Sequence, residues 1–335
     1  MNILNQNKIS GAIGLSILRK AGKEYYIFYD QHNNKNYCET NNSKLLDDIL
    51  EENFLNSETL ILLEELVNFG PTTNIITIWK DTLHTTNFKK FFMKHNDNPN
   101  IVPFDIRTIL FPVSPFLIIN YNNPIFKKEF PEVNIEDLES LVKSVTISDY
   151  FYCFFYFFDI VPKNTSLHQT YKPIIYHIKK IKKIIINCFK KLNFKNEIYT
   201  HFKKLKALVQ LFKLKFVDKN PNMILEEFIK KYGYEFRDEK IMSKNLITTN
   251  LNEINNYTWV NFIEILSDYT IEFYAILLIF CFNKKNTFIH SGLAHSSNIV
   301  NLLRYHYKFE SVKDTGITKY SETEDNYVIK NCIGL

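Results

Sequence analysis

Short apolar runs separated by polar turns occupy the first part of the chain. Residues 9–32 contain two stretches rich in β-forming residues around a turn, which predicts a β-hairpin. Residues 43–55 have apolar side chains at helical spacing, and the apolar run 59–63 that follows predicts a buried parallel strand. The next apolar run, 100–107, contains Pro103, which favours the edge of a sheet because proline donates no backbone hydrogen bond.

A helical pattern replaces these runs in the middle of the chain. From residue 134 to 240 apolar residues recur every three or four positions, and 258–282 predicts another helix that is strongly apolar at its end. Strand-like residues return at 286–290 and 309–314, and a helix lies between them, with Ser296 or Ser297 as its N-cap.

This order of elements predicts an α/β fold with a mainly parallel sheet core and a helical insertion or cap. Residues 1–133 and 283–335 would form the core, and residues 134–282 would form the helical part. Hydrophobic residues make up 45% and charged residues 23% of the 335 positions, so a sizeable core can be buried.

The two longest apolar stretches, 150–161 and 274–282, are shorter than the roughly 18–20 residues that cross a bilayer. We therefore expect buried helices and no membrane span. The N-terminus lacks a basic start and a small-residue cleavage site, which argues against a signal peptide. The abundance of Asn, Lys and Ile is typical of AT-rich coding, so a viral protein of the host cytoplasm or the virion is one interpretation.

The cysteines are odd in number and widely spaced, and no Cys-x-x-Cys occurs. This pattern argues against a disulfide scaffold and against a zinc ribbon, and it favours a reducing, cytoplasmic compartment. The five positions are Cys38, Cys153, Cys188, Cys281 and Cys332.

Polar side chains stand at the ends of the predicted strands. Parallel sheets collect their ligands at the carboxyl ends of strands, so we expect these residues to form one site. His290 is the exception, because strand alternation is expected to point it to the opposite face. The predicted set is Asp30 and His32, Glu64 and Glu65, Asp105 and Arg107, and His295.

Two of these segments resemble a known superfamily. Gly292-Leu-Ala-His295 is similar to the Gly-x-x-His motif near the C-terminus of TIKI proteases, TraB proteins, ChaN haem-binding lipoproteins and erythromycin esterases. The acidic strand end at Glu64-Glu65 is similar to the acidic positions of the same group. Tyr29-Asp30-Gln31-His32 occupies the place of the first motif, with tyrosine instead of glycine. The resemblance implies a hydrolase fold, with activity altered or lost by that tyrosine.

A metal-dependent mechanism fits this set of side chains. His32, His295 and Asp30 can provide nitrogen and oxygen ligands to a divalent ion such as Mn²⁺ or Zn²⁺. Such an ion lowers the pKa of a bound water to about 7 and so supplies a hydroxide nucleophile. Glu64 or Glu65 can then serve as general base.

Asp105, Arg107 and Cys38 each have two interpretations. Arg107 can hold an anionic substrate group or stabilise an oxyanion, but Asp105 and Arg107 can also pair with each other or cap helices. The thiol of Cys38 lies close in sequence to His32 and can form a nucleophile–base set with His295 and an acid. A single cysteine in a loop is more often a passive residue.

A lysine-rich segment, 172–219, holds fourteen lysines and two acids. It contains no arginine and no known nucleic-acid motif, so a solvated helix face is the simpler interpretation and nucleic-acid binding is not expected. Nucleic-acid binding would require these lysines to lie on one exposed stripe.

The sequence as a whole predicts a hydrolase-like protein, metal-dependent or thiol-dependent, that acts on a small molecule or a peptide. The alternative is a catalytically inactive member of the same fold that serves as a binding or virion-associated protein. Convergence of Asp30 and His32 with His295 would favour the enzyme. A site filled by Tyr29 would favour the binding role.

Overall fold

The computed structural model describes residues 8–30, 38, 43–66, 86–95, 97–124, 128, 135–161, 166–193, 197–232, 257–319 and 332–334. The chain divides into two compact units. The first, here called the sheet unit, comprises Met1–Glu65, Asp81–Asp105 and Leu278–Leu335. The second, the helical unit, comprises Leu66–Lys80 and Ile106–Leu277. The helical unit therefore includes the segment Leu66–Lys80 as well as the segment from Ile106 to Leu277.

Strands from both ends of the chain meet in the sheet unit. In chain order they are β1 (Lys8–Ser10), β2 (Gly14–Lys20), β3 (Lys23–Asp30), β4 (Lys44–Leu45), β5 (Thr59–Leu66), β6 (Ile101–Asp105), β7 (Asn286–Gly292), β8 (Glu310–Gly316) and β9 (Cys332–Gly334). The larger sheet has the order β6-β5-β7-β3-β2-β8. Strands β3 and β5 flank β7 and are parallel to it, whereas β2 is antiparallel to β3 and β8. The predicted α/β fold with a mainly parallel sheet is therefore confirmed.

The helices fall into both units. In chain order they are α1 (Leu46–Asn53), α2 (Thr86–Lys94), α3 (Arg107–Leu110), α4 (Pro115–Asn120), α5 (Ile135–Ser144), α6 (Ile147–Phe157), α7 (Ser166–Thr170), α8 (Lys172–Lys191), α9 (Glu197–Phe212), α10 (Leu225–Tyr232), α11 (Trp259–Phe282) and α12 (Leu293–Asn301). Short π-helical turns continue α9 and α12, at Lys213–Val217 and Leu302–His306.

Two local predictions of strand placement are confirmed. The hairpin of β2 and β3 turns at Ala21 and Gly22, whose φ angles of 50° and 74° lie in the left-handed region that glycine adopts at little cost. Strand β6, which contains Pro103, lies at the edge of the six-stranded sheet. A proline is tolerated there because an edge strand leaves backbone groups without a partner strand.

One face of the six-stranded sheet forms the apolar core with α1 and α2. Tyr26 and Phe28 of β3 and Phe288 of β7 share a buried cluster with residues of these helices. Phe54, which follows α1, packs its ring edge-on against Phe288 at 5.5 Å between centroids. Side chains alternate across a strand, so the residues next to these in sequence point to the opposite face.

A disulfide closes the second, smaller sheet, whose order is β4-β1-β9. Cys332 begins β9 and is bonded to Cys38, which lies 294 positions earlier in the chain. The cysteine pattern argued against a disulfide scaffold, and the Cys38–Cys332 bond contradicts that expectation. The argument for a reducing compartment depended on the same expectation and therefore no longer holds. Cys153 and Cys188 are buried and take no part in a disulfide.

Helix α11 is longer than its apolar sequence run. It spans 24 residues and is, among the described helices, the one long and apolar enough to cross a membrane by length and composition. Within its most apolar window, 72% of the residues are buried inside the protein. The expectation that no apolar segment reaches membrane-spanning length is therefore corrected, while the expected burial is observed for most of this window.

Candidate functional site

Glu64 and His295 meet at the carboxyl ends of parallel strands. Glu64 lies near the end of β5, and His295 lies in the first turn of α12, directly after β7. The His295 Nε2 atom is 3.5 Å from Glu64 Oε1, and the two side chains are only 8% and 2% exposed. A buried carboxylate and imidazole at this distance form an acid–base pair shielded from water.

Strand parity explains why Glu64 points away from the apolar core. Ile61 and Leu63 belong to the cluster on the α1 face, so Glu64 projects to the opposite side. There the backbone N–H of Gly292 donates a hydrogen bond to Glu64 Oε2 at 2.6 Å. Because Gly292 is the N-cap of α12, the carboxylate also lies at the positive end of that helix dipole.

Two buried serines join β7 to α12 beside this pair. The hydroxyls of Ser291 and Ser296 are 2.6 Å apart, and Ser296 Oγ also donates to the backbone oxygen of Phe28 at 3.1 Å. The sequence suggested Ser296 as a helix N-cap, but α12 already begins at Leu293. Both serines were missed as members of the site, because a serine next to a predicted helix start is usually a capping residue.

Tyr29 occupies the strand position next to Ser291 on the Glu64 side of the sheet. The two are paired in register, and the ring of Tyr29 is 1% exposed. Its hydroxyl is 2.8 Å from Ser16 Oγ, which donates to Asp314 at 2.6 Å. Burial raises the pKa of Asp314, but hydrogen bonds from Arg304 and Ser16 outweigh it and lower the pKa of this carboxyl overall.

Of the other predicted residues on the neighbouring strands, Asp30 does not join the Glu64–His295 pair. Asp30 is buried and opposite Gly292 in register, but it follows Tyr26 and Phe28 on the α1 face of β3. His32 lies outside the described residues, and the side chain of Glu65 is not described. His290 shares the α1 face with Phe288, as predicted.

Asp105 and Arg107 belong to different units. Asp105 is buried at the end of β6. Arg107 begins α3 in the helical unit, where its Nη1 atom is 3.7 Å from Asp268 Oδ1. The role of Arg107 in holding an anionic substrate group or an oxyanion stays a prediction.

The predicted thiol-dependent mechanism is contradicted by the disulfide. The Cys38 sulfur is bonded to Cys332, so it offers no thiolate.

A metal centre is not supported by the placed residues either. Among the described residues, no group of three or more His, Cys, Asp or Glu side chains is arranged to hold a metal ion. Asp30 and His295, two of the three predicted ligands, project toward different faces of the sheet. The third predicted ligand, His32, is outside the described residues.

Comparison with known proteins gives no relative for this chain. No known protein family, curated protein or solved structure matches it. The site must therefore be interpreted from its own geometry.

Proposed function

We propose that this protein is a hydrolase in which His295 is the general base and Glu64 orients it. The observation that carries the proposal is the 3.5 Å approach of His295 Nε2 to Glu64 Oε1 at the carboxyl ends of β5 and β7. The resemblance of Gly292-Leu-Ala-His295 to the Gly-x-x-His motif of TIKI proteases and erythromycin esterases agrees with the proposal, because both ends of that motif contact one carboxylate.

The proposed general-base chemistry depends on the imidazole ring of His295, which Glu64 orients. A carboxylate beside Nε2 favours the tautomer that carries its proton there, which leaves Nδ1 as the basic nitrogen. Nδ1 can then take a proton from a water molecule that attacks a carbonyl carbon, and Glu64 stabilises the imidazolium that forms. The Gly292 N–H in turn keeps the carboxylate in place. Ester or amide bonds of a small molecule or peptide are the corresponding substrates.

Hydrolysis of a panel of p-nitrophenyl esters and of peptide p-nitroanilides tests the proposal. His295→Ala should lower kcat/KM by about 10²–10⁴, since general-base catalysis contributes about that much, and should remove the acidic limb of the pH–rate profile. His95→Gln serves as the control, because His95 pairs with Glu51 outside the site. Assays with and without EDTA reveal any metal requirement. An unchanged rate in His295→Ala, or no turnover of any substrate in the panel, contradicts the proposal.

The second candidate is a non-catalytic binding protein of the same fold. Tyr29 favours it, because this ring is buried beside Ser291 at the strand ends, at the position where the superfamily that the sequence resembles has glycine. Tyr29→Gly separates the two functions. An enzyme whose site is narrowed by the ring should gain activity toward larger esters, whereas a binding protein should stay inactive; loss of the buried ring lowers stability in either case.

A further inference from the structure

Helix α8 has one buried face and one exposed face along its whole length. It runs for 20 residues, or about 30 Å at 1.5 Å per residue. Its inner face packs into the helical unit through Ile174, Ile178, Ile181, Ile185 and Cys188. The outer face is therefore a fixed surface, held in place by the core beneath it.

The outer face carries a stripe of lysines. Lys172, Lys179, Lys183 and Lys190 are separated by spacings close to whole helical turns, so they project in nearly the same direction. All four are exposed, and α8 contains no acidic residue. The stripe thus meets the condition that the sequence left open, namely lysines aligned on one exposed face.

Apolar side chains are exposed among these lysines. Tyr176 is 58% exposed, Ile186 is 46% exposed and Ile184 is 39% exposed. The ammonium of Lys180 lies 4.6 Å from the centre of the Tyr176 ring. A face that only served solubility would gain nothing from these apolar groups, whereas a face that enters a partly apolar environment would.

We propose that the outer face of α8 docks the protein on the surface of an anionic lipid bilayer. Lysine ammonium groups are attracted to negatively charged headgroups, and Tyr176 and Ile186 would enter the boundary between headgroups and acyl chains. A nucleic acid is the weaker match, because α8 contains no arginine for bidentate contacts and aliphatic side chains gain little from a phosphate backbone. The helix lies in the plane of the membrane and does not cross it.

Sedimentation with lipid vesicles tests the proposal on the full chain. Vesicles of phosphatidylcholine with about 30% phosphatidylserine should bind the protein, and vesicles of phosphatidylcholine alone should not. The stripe variant replaces Lys172, Lys179, Lys183 and Lys190 with Gln. Each lysine near such a surface contributes about fivefold, so binding by this variant should weaken by at least about 100-fold.

A matched control removes the same charge elsewhere. Lys94, Lys143, Lys230 and Lys285 are 62%, 56%, 66% and 67% exposed and lie on other elements. Replacing these four with Gln should change vesicle binding by less than about fivefold, because net charge acts weakly beyond a Debye length. An equal loss in both variants would mean that overall charge, not α8, controls binding, and would overturn the proposal.

Two further measurements separate the membrane from other partners. Tyr176→Ser with Ile186→Ser keeps every lysine and should still weaken vesicle binding severalfold, which charge attraction alone does not predict. Binding of single-stranded RNA is measured in parallel for the wild type and the stripe variant. The proposal is overturned if vesicles that contain phosphatidylserine fail to bind the wild type, or if RNA binding depends on the lysine stripe while vesicle binding does not.

Discussion

Replacing Glu64 gives the sharpest test of how the candidate site is built. Glu64→Ala removes the acceptor of the Gly292 N–H and the carboxylate beside His295, at a position where the Glu64 side chain is 2% exposed. A lost hydrogen bond to a charged group costs about 1.5–3 kcal/mol, and an unsatisfied buried N–H costs about 1–3 kcal/mol. We therefore expect the free energy of unfolding of the sheet unit to fall by about 3–5 kcal/mol.

Glu64→Gln should be much milder. The amide oxygen can still accept from Gly292, so the loss is mainly the charge and amounts to about 1–2 kcal/mol. Glu58→Gln is the matched control, because the Glu58 side chain is 65% exposed and its change should stay within about 0.5 kcal/mol.

Hydrogen exchange at the Gly292 amide measures directly the hydrogen bond that this amide donates to Glu64. Every 1.4 kcal/mol of lost protection is about tenfold in rate, so exchange should accelerate by at least about 100-fold in Glu64→Ala and about tenfold in Glu64→Gln. Urea unfolding followed by circular dichroism gives the stability change. If both variants unfold like the wild type and Gly292 exchange is unchanged, the hydrogen bond between Glu64 and Gly292 does not hold α12 to β5, and the site must be built differently.

Three further predictions concern the disulfide, the Asp314 carboxyl, and the alkylation of Cys153 and Cys281. Cys332→Ser should lower the free energy of unfolding by about 2–5 kcal/mol and make it insensitive to dithiothreitol; equal stability of the oxidised wild type and the variant would contradict this. Because the pKa of Asp314 is lowered from 3.8, its contribution to stability is present above that value and is lost as the pH falls below it. Asp314→Asn should therefore flatten the acid limb of the stability profile, and an unchanged limb would be inconsistent with the ion pair to Arg304. Burial raises the pKa of Cys153 to about 12, so iodoacetamide should label Cys281 well before Cys153 in peptide mass spectra; equal labelling rates would argue against that burial.

The sheet and the Glu64–His295 approach could be anticipated because both depend on short-range patterns. Alternation of side chains and turn residues marks β2, β3 and β5 locally. Parallel strands place their carboxyl ends at one edge, so Glu64 on β5 and His295 just after β7 come close, because both side chains lie on the same face of the sheet. The distance between His295 Nε2 and Glu64 Oε1 is 3.5 Å.

The disulfide could not be anticipated, because it depends on which distant segments are brought together. Cys38 and Cys332 are 294 positions apart, and their pairing requires β1 to bind both β4 and β9. A count of cysteines gives only their total number, and an odd total does not indicate whether two of them lie close together in the fold.

Helix α11 shows how acidic residues divide the apolar run of a helix that is long enough to cross a bilayer. Glu264, Asp268 and Glu272 interrupt its apolar run, which made the segment look too short for a bilayer. Their spacing of four places them near one face, and all lie within one continuous helix. Glu272 is fully buried, and Asp268 pairs with Arg107. Hydropathy alone does not distinguish such internal acids from solvent-exposed ones.

The choice of glutamate at position 64 favours a chemical role over a structural one. A glutamine would accept the Gly292 N–H almost as well, without the cost of burying a carboxylate. Buried ion pairs are weak sources of stability, so stability alone does not explain a carboxylate placed 3.5 Å from His295. A carboxylate is needed when the imidazole must gain and lose a proton. Glu64→Gln should therefore separate the two roles, because its stability cost is small while hydrolysis would fall by about 10²-fold or more. A parallel loss of stability and activity would instead mean that Glu64 only fastens α12.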